Sequence, residues 1–472
     1  MARRDTRHWP DPFLRWVPVV LVLAVLVAGG TTYGLQRAGI GDADPGTDPA
    51  AVAPPAGLTL PAYAAPAAVA PAAVDGPLAP AKVRRALAPA LADPDLGPDV
   101  LALVTRLDGT PVFSQADGAA TPASTMKLLT TAAALEVLGP EHTFQTRVVS
   151  GQHHQVVLVG GGDPLLASAP SKDAYPVTAN VVDLARQTAK ALKDKGIRRT
   201  SVGYDTSLFS GPGASTHWPD DYLPDGVVTP IGPLWVDEGH TPSGLGRVAD
   251  PALEAARAFA AALTDAGITV AGRPTEATVP STAPPLASVD SPPLSQIVEW
   301  TLTWSDNEAA EVLAHQVGLA TGRAGSFTGG AAGVRAVLDE LGVPLDGAVL
   351  HDGSGLSRQD LLDPGTLAAV LQAAASADHP ELRPLLSGLP VAAFSGSLVD
   401  RFADSVPAGR GRVRAKTGTL SGVSALAGVT TDLDGHPMIF VLMADRVALT
   451  DTDAAREALD DLAASLAACH CG

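Results

Sequence analysis

Ser124-Thr125-Met126-Lys127 places a hydroxyl and an amine three residues apart, and on a helix positions i and i+3 share a face. A serine hydroxyl is a weak nucleophile until a base takes its proton. A lysine whose charge is penalised by burial can serve as that base near neutral pH. The start of a helix adds backbone N–H groups able to stabilise an oxyanion. Taken alone the spacing is weak, since any surface helix can carry serine three before lysine. Met126, Leu128 and Leu129 change the reading, because a lone lysine in an apolar helix demands an explanation. Lysine is also scarce: the chain has seven, and only Lys127 has serine at that spacing before it.

Two further groups carry chemistry. Ser305-Asp306-Asn307 offers a hydroxyl that can relay a proton and an amide that can hold a peptide carbonyl and a lysine. Only two asparagines occur in the chain, Asn180 and Asn307. A plain helix N-cap followed by Glu308 would also account for this tripeptide. Lys416-Thr417-Gly418-Thr419 lies in a predicted strand, where a lysine and hydroxyls on one face would suit a carboxylate and glycine would admit a close backbone. An edge strand guarded by lysine is the plainer account.

These groups must be positioned by elements spread over the whole chain. The run from Ser124 to Leu138 is apolar nearly all round and predicts a buried helix that stops at Gly139-Pro140. A helix is predicted near 79–91, then a strand over 100–107, the turn Asp108-Gly109 and a return strand from Val112. Residues 141–289 mix strand-like and helical pieces and read as an inserted domain. Helices resume at 294–301 and 308–318, broken at Ser305-Asp306-Asn307, with others near 329–341 and 363–376. Strands over 412–419, 424–430 and 437–444 and a helix over 452–468 complete the chain. The expected architecture is one sheet made from the first hairpin and the last three strands, with helices packed on it. The catalytic domain would then comprise residues 79–140 and 290–466.

Ahead of it, Arg3, Arg4, Arg7 and Arg15 precede an uncharged run over 16–36, about long enough to cross a bilayer. This is expected to be a membrane anchor with residues 1–15 in the cytoplasm, or else a signal peptide; either exports the remainder. Residues 37–78, rich in Pro and Ala, read as a linker. The formal net charge of −18 argues against a nucleic-acid partner. Cys469 and Cys471 flank His470 in the last four residues; this is a poor metal cage, and residues 467–472 are expected to be a flexible tail. No metal and no cofactor are expected.

In chain order, Ser-x-x-Lys, Ser-x-Asn and Lys-Thr-Gly resemble the signature of penicillin-binding proteins and serine β-lactamases. The chain is most similar there to the D-alanyl-D-alanine carboxypeptidase/endopeptidase family, the low-molecular-mass class C penicillin-binding proteins. Pro122–Lys127, Gly161-Gly162-Asp163-Pro164, Asp352–Arg358 and Lys416–Leu420 look like that family's blocks, and the resemblance runs from about residue 79 to 465. It implies an α/β (α+β) transpeptidase fold with a mostly antiparallel sheet flanked by helices, plus an inserted domain. It further implies that Ser124 is acylated, Lys127 is its base, and Ser305 and Asn307 relay protons and position substrate. Lys416, Thr417, Gly418 and Thr419 would receive the substrate carboxylate, and the N–H groups of Ser124 and Thr419 would form the oxyanion hole. Asp163 and Arg358 look like the pair that reads the charged end of a diaminopimelate side chain. The implied partners are peptidoglycan peptides ending in D-Ala-D-Ala or cross-linked, with β-lactams as inhibitors, at the outer face of the bacterial membrane.

One departure stands out. Ser124 and Ser305 are 181 positions apart, shorter than expected for members with two nested inserts, which implies a single reduced insert. A class A β-lactamase would need a glutamate and asparagine beyond Ser305-Asp306-Asn307, and no asparagine follows Asn307. A β-lactam sensor or peptidoglycan-binding scaffold is the remaining alternative; the intact Ser124/Lys127 pair argues against a scaffold.

Overall fold

The computed structural model describes Val74 and residues 76–472, apart from 153 and 242. The basic segment, the candidate anchor and nearly all of the linker lie outside the described residues. Among those described, no helix is long and apolar enough to cross a membrane.

Helix α1 (Pro80–Leu91) begins with proline, whose missing N–H costs nothing at a first turn. Strands β1 (Asp99–Thr105) and β2 (Pro111–Gln115) form a hairpin. At its turn, Asp108 Oδ1 accepts from Thr110 N, and Gly109 takes φ +81°. A 3₁₀ turn over Ala123–Met126 runs directly into α2 (Lys127–Leu138), which Gly139 ends at φ +84°. The chain then leaves for a second sheet with β3 (Gln145–Ser150), β4 (Gln155–Val159), α3 (Val181–Asp194) and β5 (Arg199–Asp205). Helix α4 (Pro251–Asp265) and the short strands β6 (Thr269–Val270), β7 (Thr275–Glu276) and β8 (Pro285–Asp290) follow. Next come α5 (Leu294–Trp304), α6 (Asn307–Ala320), α7 (Phe327–Glu340), α8 (Pro364–Ala375) and α9 (Arg383–Ser387). Strands β9 (Arg414–Leu420), β10 (Val423–Thr431) and β11 (Pro437–Asp445) and helix α10 (Thr452–Ala467) end the fold.

The first sheet has the order β2-β1-β11-β10-β9 and is antiparallel throughout. Thus the first hairpin and the last three strands share one sheet, as the sequence pattern predicts. Its central strand β11 is apolar on both faces because both are covered. Ile439, Val441 and Met443 pack toward α2 and α8, while Met438, Phe440, Leu442 and Ala444 pack toward α1 and α10. Helix α2 is enclosed by its neighbours, so every residue from Lys127 to Leu135 is buried. Each leucine removed from water there contributes about 2 kcal/mol.

The second sheet has the order β6-β5-β4-β3-β8, with β7 also pairing with β5. Strands β4 and β5 are parallel, as are β5–β6 and β5–β7, whereas β3 pairs antiparallel with both β4 and β8. Parallel neighbours need a crossover, and α3 supplies it between β4 and β5. Leu184 and Ala185 of α3 and Phe259 and Leu263 of α4 share a core with Val156, Leu158 and Val202.

The tail departs from the sequence reading. Residues 469–472 are docked rather than loose, and Cys471 is fully buried. The β10–β11 turn explains it, because Asp432 Oδ2 accepts from Cys471 N (2.9 Å) and Gly472 N (3.1 Å). Cys469 and Cys471 are joined by a disulfide, and Ala79 N donates to the Cys471 carbonyl.

Candidate active site

Ser124 sits in the 3₁₀ turn that feeds α2, and Lys127 is the first residue of the α-helix proper. This places the two side chains together: Lys127 Nζ lies 2.9 Å from Ser124 Oγ. The amine has two more partners, Asn307 Oδ1 at 2.7 Å and the Ser354 carbonyl at 2.8 Å. Lys127 is fully buried, and that burial pulls its pKa down to about 8, opposed by the negative charges of Glu311 and Asp352. The turn is held from below by the 352–358 segment. Gly355, at φ +80°, lies so close that a Cβ there would stand 1.9 Å from the Ala123 carbonyl oxygen. Asp352 shapes this segment by accepting from Gly355 N, Ser357 N and Trp218 Nε1, each at 2.7 Å.

Ser305 lies at the break between α5 and α6 in the left-handed region, φ +59° and ψ +38°, a costly conformation for serine that recurs at functional sites. Asp306 is the helix cap, its Oδ1 accepting from Ala309 N at 2.9 Å. The capping explanation of this tripeptide therefore holds for Asp306 while Ser305 and Asn307 face the other motifs. Lys416 Nζ donates to Ser305 Oγ at 2.8 Å and to the Thr417 carbonyl at 2.8 Å. Lys416 too is fully buried, and burial followed by the charge of Lys127 holds its pKa well below the ordinary range.

Strand pleating corrects one expectation. Lys416 and Gly418 pair with Ala427 and Ala425, which face the core around α2, whereas Thr417 pairs with Leu426, which faces α10. The lysine and the hydroxyls are therefore on opposite faces. Thr417 Oγ1 instead meets Ser397 Oγ at 2.9 Å, and Thr419 is exposed on this edge strand. Gly418 has a plain steric reason: a Cβ would stand 2.6 Å from the Pro122 carbonyl oxygen. Direct contacts thus join Ser124, Lys127 and Asn307 in one group and Ser305 and Lys416 in another, and the short segment from Ser305 to Asn307 links the two.

Asp163 and Arg358 do not pair. Asp163 is buried, its Oδ1 accepting from Leu165 N at 2.9 Å and its Oδ2 lacking a partner. Burial raises its pKa to about 7. The glycines before it serve packing, since a Cβ on Gly161 would stand 1.9 Å from the Gln145 carbonyl oxygen. Arg358 donates to the Ser421 carbonyl at 2.9 Å and lies close enough to Tyr222 for its charge to act on that hydroxyl. Sequence reasoning missed Tyr222, and it missed Glu311, Ser354 and Trp218 as supports of the site. Glu311 carried a usable signal, a carboxylate in the apolar stretch of α6 one turn after Asn307. A backbone carbonyl such as that of Ser354 carries none.

The sequence pattern of the D-Ala-D-Ala carboxypeptidase 3 (S13) family matches residues 83–246 and 242–467. The chain is 38% identical over 406 residues to a carboxypeptidase of Mycobacterium tuberculosis, covering 83% of this chain and 85% of that one. It is 39% identical over 410 residues to carboxypeptidase DacB of Mycolicibacterium smegmatis, covering 84% and 86%. A D-alanyl-D-alanine carboxypeptidase of Actinomadura is 31% identical over 433 residues, covering 75% and 79%. Among solved structures, penicillin-binding protein 4 of Haemophilus influenzae shares the fold, with TM-score 0.64 at 22% identity over 82% of this chain and 98% of that one. The chain belongs to the D-Ala-D-Ala carboxypeptidase 3 (S13) family and is a serine hydrolase.

Proposed function

We propose that this chain cleaves D-Ala-D-Ala peptides and cross-links of peptidoglycan through an acyl-enzyme on Ser124, with Lys127 as the base. The observation that carries the reading is the set of three contacts around the Lys127 amine. A neutral amine has two N–H bonds and one lone pair. The Asn307 amide oxygen and the Ser354 carbonyl can only accept, so they take the two N–H bonds. The lone pair is left for the proton of Ser124, the one partner that can donate. The neutral form grows as pH rises through about 8, so acylation rises over the same range.

Ser124 Oγ attacks the carbonyl of the penultimate D-alanine while its proton passes to Lys127. Backbone N–H groups of Ser124 and Thr419 stabilise the oxyanion. The peptide C–N bond then breaks as the proton taken up by Lys127 is returned to the departing amine by way of Ser305, whose oxygen accepts from Lys416 and whose O–H is free to donate, leaving Lys127 neutral to take a proton from the hydrolytic water. Water hydrolyses the ester and restores Ser124. The substrate carboxylate is received at the edge of β9, where Thr417 and Thr419 present hydroxyls on one face and the buried Lys416 amine supplies positive charge from the other; a carboxylate arriving there offsets the burial of the amine. Arg358 remains a candidate for reading an acidic substrate side chain, in company with Tyr222 and Asp221 rather than Asp163. Residues 16–36 would hold the enzyme at the outer membrane face. β-Lactams would acylate Ser124 and leave slowly.

The test incubates wild type and Ser124→Ala with labelled penicillin, a muropeptide ending in D-Ala-D-Ala and a cross-linked dimer. Wild type should label and release D-alanine, and the variant should do neither; equal labelling of both sinks the reading. The dimer separates endopeptidase from carboxypeptidase activity.

A further inference from the structure

Helix α6 presents two residues, one turn apart, that bear on the Lys127 amine. Asn307 does so directly. Glu311 does so through the backbone. It is fully buried, and its carboxylate accepts from Gly353 N at 3.1 and 3.0 Å and from Ser354 N at 2.8 Å. The carbonyl of the same Ser354 is the third partner of Lys127, and the Gly353 carbonyl is held on the other side by Thr130 Oγ1 at 2.7 Å. A carboxylate is costly to bury unless several donors satisfy it, and here all its N–H donors come from one short segment whose carbonyl meets the base.

We propose that Glu311 is a positioning residue for the general base. It clamps the Gly353–Ser354 backbone so that the Ser354 carbonyl and the Asn307 amide oxygen occupy both N–H bonds of neutral Lys127, turning its lone pair onto Ser124. The proposal rests on the reading of Lys127 as that base. When ionised, Glu311 also acts by charge, and burial pushes its own pKa up to about 8, into the range where Lys127 loses its proton. It favours the ammonium form, as do Asp352, Asp306 and Glu308, against the burial that lowers the pKa to about 8. The other buried amine near it is Lys416, whose own charged form is disfavoured by burial and then by the charge of Lys127.

Position and charge separate in two substitutions. Glu311→Gln retains an amide oxygen where Oε1 receives both N–H groups and removes the charge. Glu311→Ala removes both. The measurement is the second-order acylation rate by labelled penicillin as a function of pH, with thermal melts to establish folding. For Glu311→Gln the plateau should fall less than about tenfold, because the acceptor for both N–H groups is kept, while the rising limb moves to lower pH. For Glu311→Ala the rate should fall about 100-fold or more at every pH, the scale of a misplaced catalytic group. A folded Glu311→Ala protein acylating within about threefold of wild type overturns the proposal, as does a Glu311→Gln plateau reduced as far as that of Glu311→Ala. If Glu311→Ala does not fold, the Glu311→Gln plateau decides alone, and a loss of about 100-fold or more overturns the proposal. Wild-type acylation by Lys127→Ala is a different result, and it would remove the base assignment itself.

Discussion

Lys127 and Glu311 are both fully buried and both ionisable, and each is surrounded by groups that suit its chemistry. Lys127 was legible in the sequence because a lone cation among Met and Leu has no cheap alternative. Glu311 obeys the same rule, yet its effect passes through a peptide unit and no side-chain pattern reveals that. Asp163 was assigned on another ground, its place in a block resembling a family motif; in the structure its neighbouring glycines meet close backbone contacts and its carboxylate accepts from Leu165 N, apart from Arg358. This difference is testable. Its pKa is raised by burial from 3.8 to about 7, so the fold prefers the protonated form and loses stability as pH climbs from 4 through 7. Asp163→Asn cannot ionise and keeps the acceptor for Leu165 N. Relative to wild type, the variant should gain on the order of 2 kcal/mol between pH 5 and pH 8, read as a widening difference in melting temperature. Its peptidase activity should stay within about threefold of wild type.

At the scale of elements, the legible parts were those whose pattern and punctuation agree. The run after Ser124 became α2 and ended at Gly139; the break at Ser305-Asp306-Asn307 became the α5–α6 junction; the turns at Asp108-Gly109 and Asp434-Gly435 joined antiparallel strands. Parallel pairing in the second sheet was not foreseen: β5, which pairs parallel with β4, was not read as a strand, and β6 and β7, with two residues each, carry no periodicity. The placement of Thr417 was misjudged although pleating alone decides it. The contact between Gly355 and the nucleophile turn is likewise invisible in a sequence, and it makes a sharp prediction. Gly355→Ala needs a positive φ and puts a Cβ against the Ala123 oxygen. It should lower penicillin acylation at least about 100-fold and destabilise by about 1–3 kcal/mol, measured by rate and by denaturant unfolding on one preparation.

Over the whole molecule, the sheet is a middle layer whose two faces are closed by different parts of the chain, and the carboxyl-terminal residues finish one of them. Asp432 gathers N–H groups from its own turn and from the last two residues, with Asp434 N and His436 N on Oδ1. Removing residues 469–472 takes both backbone N–H donors from Oδ2 of this buried carboxylate and leaves it the His436 ring nitrogen at 3.2 Å. The truncated protein should lose about 2 kcal/mol, seen as a lower melting temperature, while its acylation rate at 25 °C stays within about twofold. A cysteine–histidine–cysteine tail reads as loose in a sequence because its partner is a turn more than thirty residues earlier.

Pairing of β1 with β11, Thr105 opposite Ile439, sets an order of events in time. The first hairpin has its permanent neighbour only after almost all of the polypeptide has been synthesised. Until then its edge must wait unpaired while the intervening segment, including the second sheet, is made. Closing so long a loop is entropically slow, so the turn that carries Ser124 should reach its final surroundings late, after β11 has paired.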